Sequence, residues 1–355
     1  MKLHAFGIVP RPLAKIVMTL VLGVATVSPV VPGLVGRAAA QGNAGAASLQ
    51  IPPGGRAEGM GRTFTAIADD AFAPWWNPGG LAFLESKHAA LMHTKLVPDL
   101  ANDVYFDYAS YAQHLEGWGG VAFTITYLNY GESVETEPGN PNPVGTFTSY
   151  EVAPSLALGT AITRNLGVGA NVKFLHVDLA PAAVGSDGQA GKGNTFAVDI
   201  GALYKLPSAP LNLAIVLQNI GPNIALIDAK QADPLPHMLR IGAAYQVVHT
   251  GPHSVIAAFD ADKLLLSNGG GAPSDSTVKS SWFDDNNVLL NFGGEYSYNN
   301  LIAVRAGYIF DDPGEIKNFT YGLGLTYKAI AFDYASIPQY TELSRVSKFS
   351  LSVRF

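Results

Sequence analysis

Residues 319–328 read Phe-Thr-Tyr-Gly-Leu-Gly-Leu-Thr-Tyr-Lys, with a large apolar or aromatic side chain at every second position. Successive side chains of a β-strand point to opposite faces of the sheet, so this run predicts a strand with one apolar face and one polar, glycine-rich face. The same alternation recurs in residues 168–174, 196–205, 239–247 and 302–308. In each of these runs the charged residues fall on the polar face.

The composition indicates that this alternation extends over most of the chain. Hydrophobic residues make up 48% of the sequence and charged residues 14%, and the mean hydropathy is +0.18. Past the N-terminus, however, no apolar run approaches the roughly 18 residues that a membrane-spanning helix needs. A chain that is apolar on average but nowhere continuously apolar is typical of an all-β transmembrane antiparallel β-barrel. A soluble β-sandwich or barrel is the alternative, because its strands also alternate.

The spacing of the predicted strands favours the membrane barrel. About fourteen strand segments follow residue 86, an even number as single-chain bacterial barrels require. Long connections alternate with short ones along the chain, as expected when extracellular loops are long and periplasmic turns short. This parity predicts that both termini are periplasmic. The long connections are 128–146, 179–193, 220–236 and 265–288, and the short ones are 113–117, 163–166, 207–210, 249–252 and 299–300.

The two ends of the chain carry features of an exported barrel. Residues 1–40 combine basic Lys2, Arg11 and Lys15, an apolar stretch at 16–27 and a small-residue Ala-Ala-Ala site at 38–40, which predicts a signal peptide. A retained membrane anchor is the alternative. At the other end, apolar and polar residues alternate up to the terminal Phe355, which resembles the assembly signal of outer-membrane barrels.

Residues 41–86 do not read as strand. Residues 71–81, Ala-Phe-Ala-Pro-Trp-Trp-Asn-Pro-Gly-Gly-Leu, hold Trp, Pro and Gly at a density that predicts a compact, irregular segment. Side chains alone cannot fill the lumen of a barrel this wide, so we expect a hatch, or plug, ahead of the barrel at 87–355. A periplasmic lid or a flexible tail is the alternative.

This segment carries a family resemblance. The run from residue 55 to residue 81 resembles the N-terminal hatch signature of the FadL superfamily, in the variant carried by the PorV and PorQ family. Further stretches at 217–222, 239–245, 260–265, 294–308 and 332–334 resemble PorV proteins, although residues 266–271 depart from their pattern. The hatch motif comprises Asp69, Asp70, Trp76, Asn77, Pro78, Gly79 and Gly80, with Gly79 where the family usually has Ala.

The resemblance implies a role in type IX protein secretion. Such barrels bind the C-terminal signal domains of secreted cargo and shuttle them from the translocon to a surface attachment complex containing a sortase-like enzyme. The partners implied are therefore cargo domains, the translocon, the attachment complex and outer-membrane lipid. The alternative is a FadL-like passive transporter of hydrophobic small molecules, with Phe72, Trp75, Trp76 and Phe83 lining the path. A barrel with no ligand is a third possibility.

No catalytic site, metal site or cofactor is predicted, and the protein is not expected to be an enzyme. The absence of cysteine excludes disulfides and thiolate metal ligands. His249 and His253 have metal-like spacing but flank a Gly-Pro turn, and a zinc site needs three or four converging ligands. Residues 284–285 and Asp69-Asp70 are adjacent carboxylates that point apart in an extended chain. Residues 260–262, Asp-Ala-Asp, lack the remaining ligands of a calcium loop.

Charge also restricts the possible partners and predicts the residues of the lumen. Without residues 1–40, which hold four basic residues and no acidic one, the chain has 18 basic and 28 acidic residues, a net charge of −10. Nucleic acid is therefore not expected to bind, because phosphate recognition needs clustered Lys and Arg. Strand charges are least costly toward the lumen, where pairing with one another and holding the plug is their simplest role. The predicted lumen charges are Lys173, Asp199, Lys205, Arg240, Glu295, Arg305 and Asp333.

Overall fold

The structure is a computed structural model of the chain. It describes residues 45–137, 140–181, 190–227, 232–265, 288–312, 314–339 and 343–355. The predicted signal peptide at 1–40 and the carboxylate pair at 284–285 lie outside the described residues.

The described residues form fourteen antiparallel strands that close into a barrel, as the alternation predicts. Each strand is hydrogen-bonded to its neighbours in sequence. The strands are β1 (His88–Lys95), β2 (Val104–Leu115), β3 (Gly119–Glu137), β4 (Asn140–Ala161), β5 (Leu166–Ala180), β6 (Gly191–Lys205), β7 (Leu211–Ile220), β8 (Met238–Thr250), β9 (His253–Leu264), β10 (Val288–Tyr298), β11 (Ile302–Asp311), β12 (Ile316–Tyr327), β13 (Ile330–Ile337) and β14 (Val346–Arg354).

The first and last strands complete the barrel. β1 pairs with β14 from His88 opposite Arg354 to His93 opposite Phe349. Lys87 and Phe355 then exchange two backbone hydrogen bonds of 2.9 Å each. No sheet edge remains at this closure, which is the requirement for a β-structure in hydrocarbon.

The alternation of the sequence separates the two faces of the wall. In β12 the side chain of Leu323 is 56% exposed on the outside, whereas Thr320 is fully buried on the inside. The same outward exposure holds for Phe196 on β6 and Ile241 on β8. The barrel thus has an apolar outer band and a polar, small-residue inner face, the arrangement of a membrane barrel. Among the described residues no helix has the length and apolar character needed to cross a membrane.

The connections alternate in length, with one correction. The prediction of a long loop at 128–146 is wrong, because β3 continues to Glu137 and β4 begins at Asn140. Val, Thr and Phe in this stretch favour extended backbone. Pro143 is accommodated next to register shifts between β3 and β4, in keeping with the confinement of proline to edges and bulges. At the opposite end, Asn299 and Asn300 both adopt a φ of +52° in the tight turn that their side chains tolerate.

Residues 45–86 lie inside the barrel. They contain two short helices, α1 (Gly55–Gly59) and α2 (Ala73–Trp76), and two 3-10 helices, Ala47–Leu49 and Pro78–Phe83. Phe64 and Trp76 are fully buried at the centre of the largest apolar cluster. We call residues 45–86 the hatch.

Candidate functional site

The hatch contacts the wall through backbone at the Pro78–Phe83 turn. The side chain of Asn77 caps this turn by accepting a hydrogen bond of 2.9 Å from the backbone N–H of Gly79. Its amide donates to the carbonyl oxygens of Thr65, at 2.9 Å, and Ala202 on β6, at 3.1 Å. One side chain therefore closes the turn, ties it to the hatch and ties it to the barrel.

Glycines on both surfaces allow this close approach. A Cβ on Gly79 would lie 2.9 Å from the carbonyl oxygen of Gly201, and one on Gly80 would lie 2.1 Å from the carbonyl oxygen of Ala68. On the wall, a Cβ on Gly159 would lie 2.4 Å from the carbonyl oxygen of Pro78. These distances are too short for any side chain, so the glycines of the motif and of the inner face fit together.

The two tryptophans of the motif are packed rather than exposed. Trp76 donates its indole N–H to the carbonyl oxygen of Pro53 at 2.9 Å, and its ring meets that of Trp75 edge to face at 4.8 Å. The guanidinium of Arg240 lies 4.9 Å and 5.1 Å from the two ring centroids, which is a cation–π geometry. Arg240 also pairs with Asp262 at 3.0 Å.

A chain of ion pairs joins the hatch to β10, β11 and β13. Arg56 in α1 contacts Asp69 at 2.7 Å and binds Glu295 with two hydrogen bonds of 2.9 Å. Glu295 also accepts from Arg305 at 2.6 Å, and Arg305 reaches Asp333 at 2.7 Å. The structure therefore brings five of the sequence-predicted residues into one network, with Arg56 as the connection that the sequence did not identify.

A second group lies across β5, β6 and β7. Lys173 pairs with Asp199 at 2.8 Å and donates to the side-chain oxygen of Asn219 at 2.7 Å. Asp199 in turn accepts from the backbone N–H of Asn219 at 2.8 Å and from the amide of Asn171 at 3.1 Å. Buried charges need such complete pairing to be tolerated.

Further hatch contacts come from residues that sequence reasoning missed. Lys348 on β14 contacts Glu58 at 2.5 Å and donates to the carbonyl oxygen of Pro52 at 2.8 Å. Asp260, considered only as a calcium ligand, accepts from the backbone N–H groups of Phe64 and Thr65 at 3.1 and 3.0 Å. Lys348 lies on the polar face of the alternating last strand, so its inward direction was readable, but its partner was not.

The remaining candidates lie apart from these networks. Lys205 places its ammonium group 4.0 Å from the ring centroid of Phe83 near the short-turn end. His253 is exposed and its Nδ1 lies 2.9 Å from the hydroxyl of Tyr296. No grouping of His, Asp and Glu suited to a metal ion occurs within the part of the chain that the structure describes.

Two hatch carboxyl groups have shifted pKa values. Burial, together with the charge of Asp69, raises the pKa of Asp70 to about 7, although Arg56 opposes the shift. Burial also opposes ionisation of Glu58, but the charges of Lys348 and Arg62 outweigh it and lower the pKa of Glu58. Asp70 is thus the hatch group whose charge changes near neutral pH.

These features define a class of protein. The wall is that of an outer-membrane barrel, and the chain's own N-terminal segment occupies the lumen through paired charges and backbone contacts. Barrels of this kind serve transport or secretion.

The family follows from comparison with known sequences. Residues 40–269, more than half of the chain, match the family model of the type IX secretion system protein PorV. The chain therefore belongs to the PorV family and is an outer-membrane barrel of type IX secretion. No curated protein sequence matches it significantly.

Solved structures share the fold. The toluene transporter TbuX of Ralstonia pickettii is 16% identical with a TM-score of 0.51, over 84% of this chain and 97% of that one. The Pseudomonas putida toluene transporter TodX is 13% identical with a TM-score of 0.50, over 84% and 95%. A Pseudomonas aeruginosa FadL homologue is 12% identical with a TM-score of 0.50, over 84% and 97%. At these identities the likeness concerns the fold alone.

Proposed function

We propose that this barrel binds the C-terminal signal domains of secreted cargo at its long-loop end and shuttles them from the translocon to a surface attachment complex. In this proposal the long-loop end is extracellular and both termini are periplasmic. The protein acts as a binding partner and performs no catalysis itself. Residues 41–86 serve as the hatch of a barrel at 87–355.

The observation that carries the proposal is a β-ribbon projecting from the long-loop end. β2 pairs with β3 only as far as Val104 opposite Tyr130, and β5 pairs with β4 only as far as Asp178 opposite Tyr150. Beyond these points β3 and β4 pair with each other alone, up to Glu137 opposite Asn140. Seven further residues of β3 at about 3.3 Å each carry the ribbon roughly 23 Å past its neighbours.

The ribbon has the character of a contact surface. Val134 is 57% exposed and Val144 46% exposed, and neither is covered by the barrel. Glu132 and Glu135 add negative charge beside these apolar side chains. Apolar residues rimmed by charge, on an element that projects from the wall, are typical of protein-binding sites.

The packed hatch supports binding over conduction. Phe72, Trp75 and Trp76, considered as the lining of a transport path, are each at most 4% exposed and pack together in the hatch core. A small molecule crossing here would have to displace them. The ion pairs of Arg56 and Lys348 hold the same segment in place.

The ribbon can be tested without disturbing the wall. Glu132 and Thr148 are paired, so an Asn-Gly turn joining them removes the ribbon and preserves the ladder below. We expect the shortened barrel to insert normally, judged by heat-modifiable electrophoretic migration. It should fail to co-purify secretion partners identified by mass spectrometry, and cargo should remain in the periplasm.

Two point variants refine the test. Val134→Ser combined with Val144→Ser keeps the ribbon and should weaken the same co-purification, whereas Val247→Ser on β8, at the opposite end, should leave it unchanged. Normal cargo secretion by the shortened barrel would contradict the proposal. Recovery of a lone barrel carrying hydrophobic small molecules would instead favour the transporter alternative.

A further inference from the structure

A groove runs down the outer wall where β14, β1, β2 and β3 meet. It consists of two adjoining depressions of about 350 and 510 Å³. Both are lined by Leu91, Ala109, Ile125 and Leu351. The groove lies on the apolar face of the barrel, so its surroundings are the hydrocarbon chains of the membrane.

Strand register explains its shape. Ala109 on β2 is paired with Leu91 on one side and Ile125 on the other, so a small outward side chain lies between two large ones. One step toward the short turns, Ala89 lies between Tyr111 and Val353. The two alanines thus leave a channel with an apolar floor.

The end of the groove nearer the long loops is polar. His93 and Asp107 are the next outward pair, and His93 Nδ1 lies 2.7 Å from Asp107 Oδ1. An ionised carboxylate only accepts, so Nδ1 carries the hydrogen and the neutral ring leaves Nε2 as an acceptor. The Tyr127 ring lies next to Asp107 in register, and the Tyr105 ring lies 5.6 Å from that of His93.

These groups all attract a cation. A carboxylate, an acceptor nitrogen and aromatic faces together form the kind of site that recognises ammonium groups. Exposed charge on the outer wall is costly within hydrocarbon, so this pair belongs at the level of the lipid headgroups. The groove therefore joins a cation-binding end at headgroup depth to an apolar channel at acyl-chain depth.

The polar end decides whether a lipid is retained. Lipid chains are as apolar as leucine, so a groove in hydrocarbon gains little from the hydrophobic effect and discriminates through packing and polar contacts. We propose that this groove binds one lipid with a phosphoethanolamine headgroup, its ammonium group on Asp107 and His93 and one acyl chain along Ala109.

A position on the same ring row provides the matched control. The rings of His93, Tyr105, Tyr127, Tyr150 and His176 follow one another at 5.6 to 6.0 Å around the wall. His176, however, has an amide partner, because its Nδ1 lies 2.7 Å from Asn194 Oδ1. It reproduces the histidine and the ring row without the carboxylate and away from the groove.

The experiment is native mass spectrometry of the whole barrel. Protein purified in detergent is mixed with phosphatidylethanolamine or phosphatidylglycerol, and retained lipid is counted as detergent is removed by collision. We expect one phosphatidylethanolamine on the unmodified protein and roughly tenfold less retention with Asp107→Asn, since desolvated cation–π and charge contacts contribute about 1–2 kcal/mol. Ala109→Leu, which fills the channel, should reduce retention as well, and His176→Gln should not.

A lipid variant gives a test that no folding defect can confuse. Phosphatidylethanolamine acylated on its nitrogen has lost the ammonium charge, and the unmodified barrel should not retain it. Equal retention of the acylated lipid or of phosphatidylglycerol would overturn the proposal. So would undiminished retention in Asp107→Asn or Ala109→Leu barrels that migrate as folded.

Discussion

Removing the guanidinium of Arg56 should loosen the hatch while leaving the wall intact. Arg56→Met retains an unbranched side chain in α1 but deletes the two 2.9 Å hydrogen bonds to Glu295 and the contact with Asp69. Glu295 keeps its second partner, Arg305 at 2.6 Å, so no buried charge is left alone. The loss is therefore that of charged hydrogen bonds, about 2–3 kcal/mol, rather than that of an orphaned buried charge.

The chain contains no cysteine, which makes the effect measurable. Ala71→Cys places a single thiol at a fully buried hatch position, where it reacts with a thiol reagent only when the hatch opens. A loss of 2–3 kcal/mol should raise the reaction rate roughly 30- to 150-fold under conditions where opening is in equilibrium.

Arg354→Met, a guanidinium deletion at an exposed position on β14, is the matched control and should leave the rate unchanged. If Arg56→Met labels at the parent rate, the reasoning that the ion pairs hold the hatch is refuted. If it labels faster but the barrel also loses its heat-modifiable migration, the network supports the wall rather than the hatch alone.

Other substitutions test the remaining contacts. Gly80→Ala would place a Cβ 2.1 Å from a hatch carbonyl oxygen, so we expect displacement of the turn and faster labelling of the same thiol. Lys348→Met leaves buried Glu58 with a single partner and should lower barrel stability by about 3–5 kcal/mol, seen as a lower temperature of heat-modified migration; Glu58→Gln in the same chain should recover part of the loss. The raised pKa of Asp70, about 7, means that its neutral form is favoured in the packed hatch. Its contribution is therefore present at low pH and declines between about pH 4 and 7, so labelling, corrected for thiol ionisation, should increase with pH, and Asp70→Asn should abolish that dependence.

The barrel was accessible from sequence because a strand's period is local. Phe319 to Lys328 alternate, and the structure places Leu323 outside and Thr320 inside accordingly. The stretch at 128–146 was misread because its prolines and glycines suggest a loop, whereas Val134 and Val144 continue the strands. Local signals could not decide between the two, since the ribbon gains its stability from pairing across the hairpin.

Facing was predictable for the candidate site, but partnership was not. Alternation indicates that Glu295 and Lys348 point inward, yet nothing in the sequence pairs them with Arg56 and Glu58. Those contacts join residues more than 200 positions apart and depend on where the hatch lies in the lumen. The hatch itself has no period from which its conformation could be read.

The contact between Lys348 and the hatch has a consequence for the order of biogenesis. The hatch is made first and the last strand grips it, with Glu58 and the Pro52 carbonyl on one side and the β1–β14 closure on the other. A closed cylinder offers no wide entrance through which this packed segment could later be threaded. The N-terminal segment must therefore be in position before the final strand zips, and it acts as a mandrel around which the cylinder is wound.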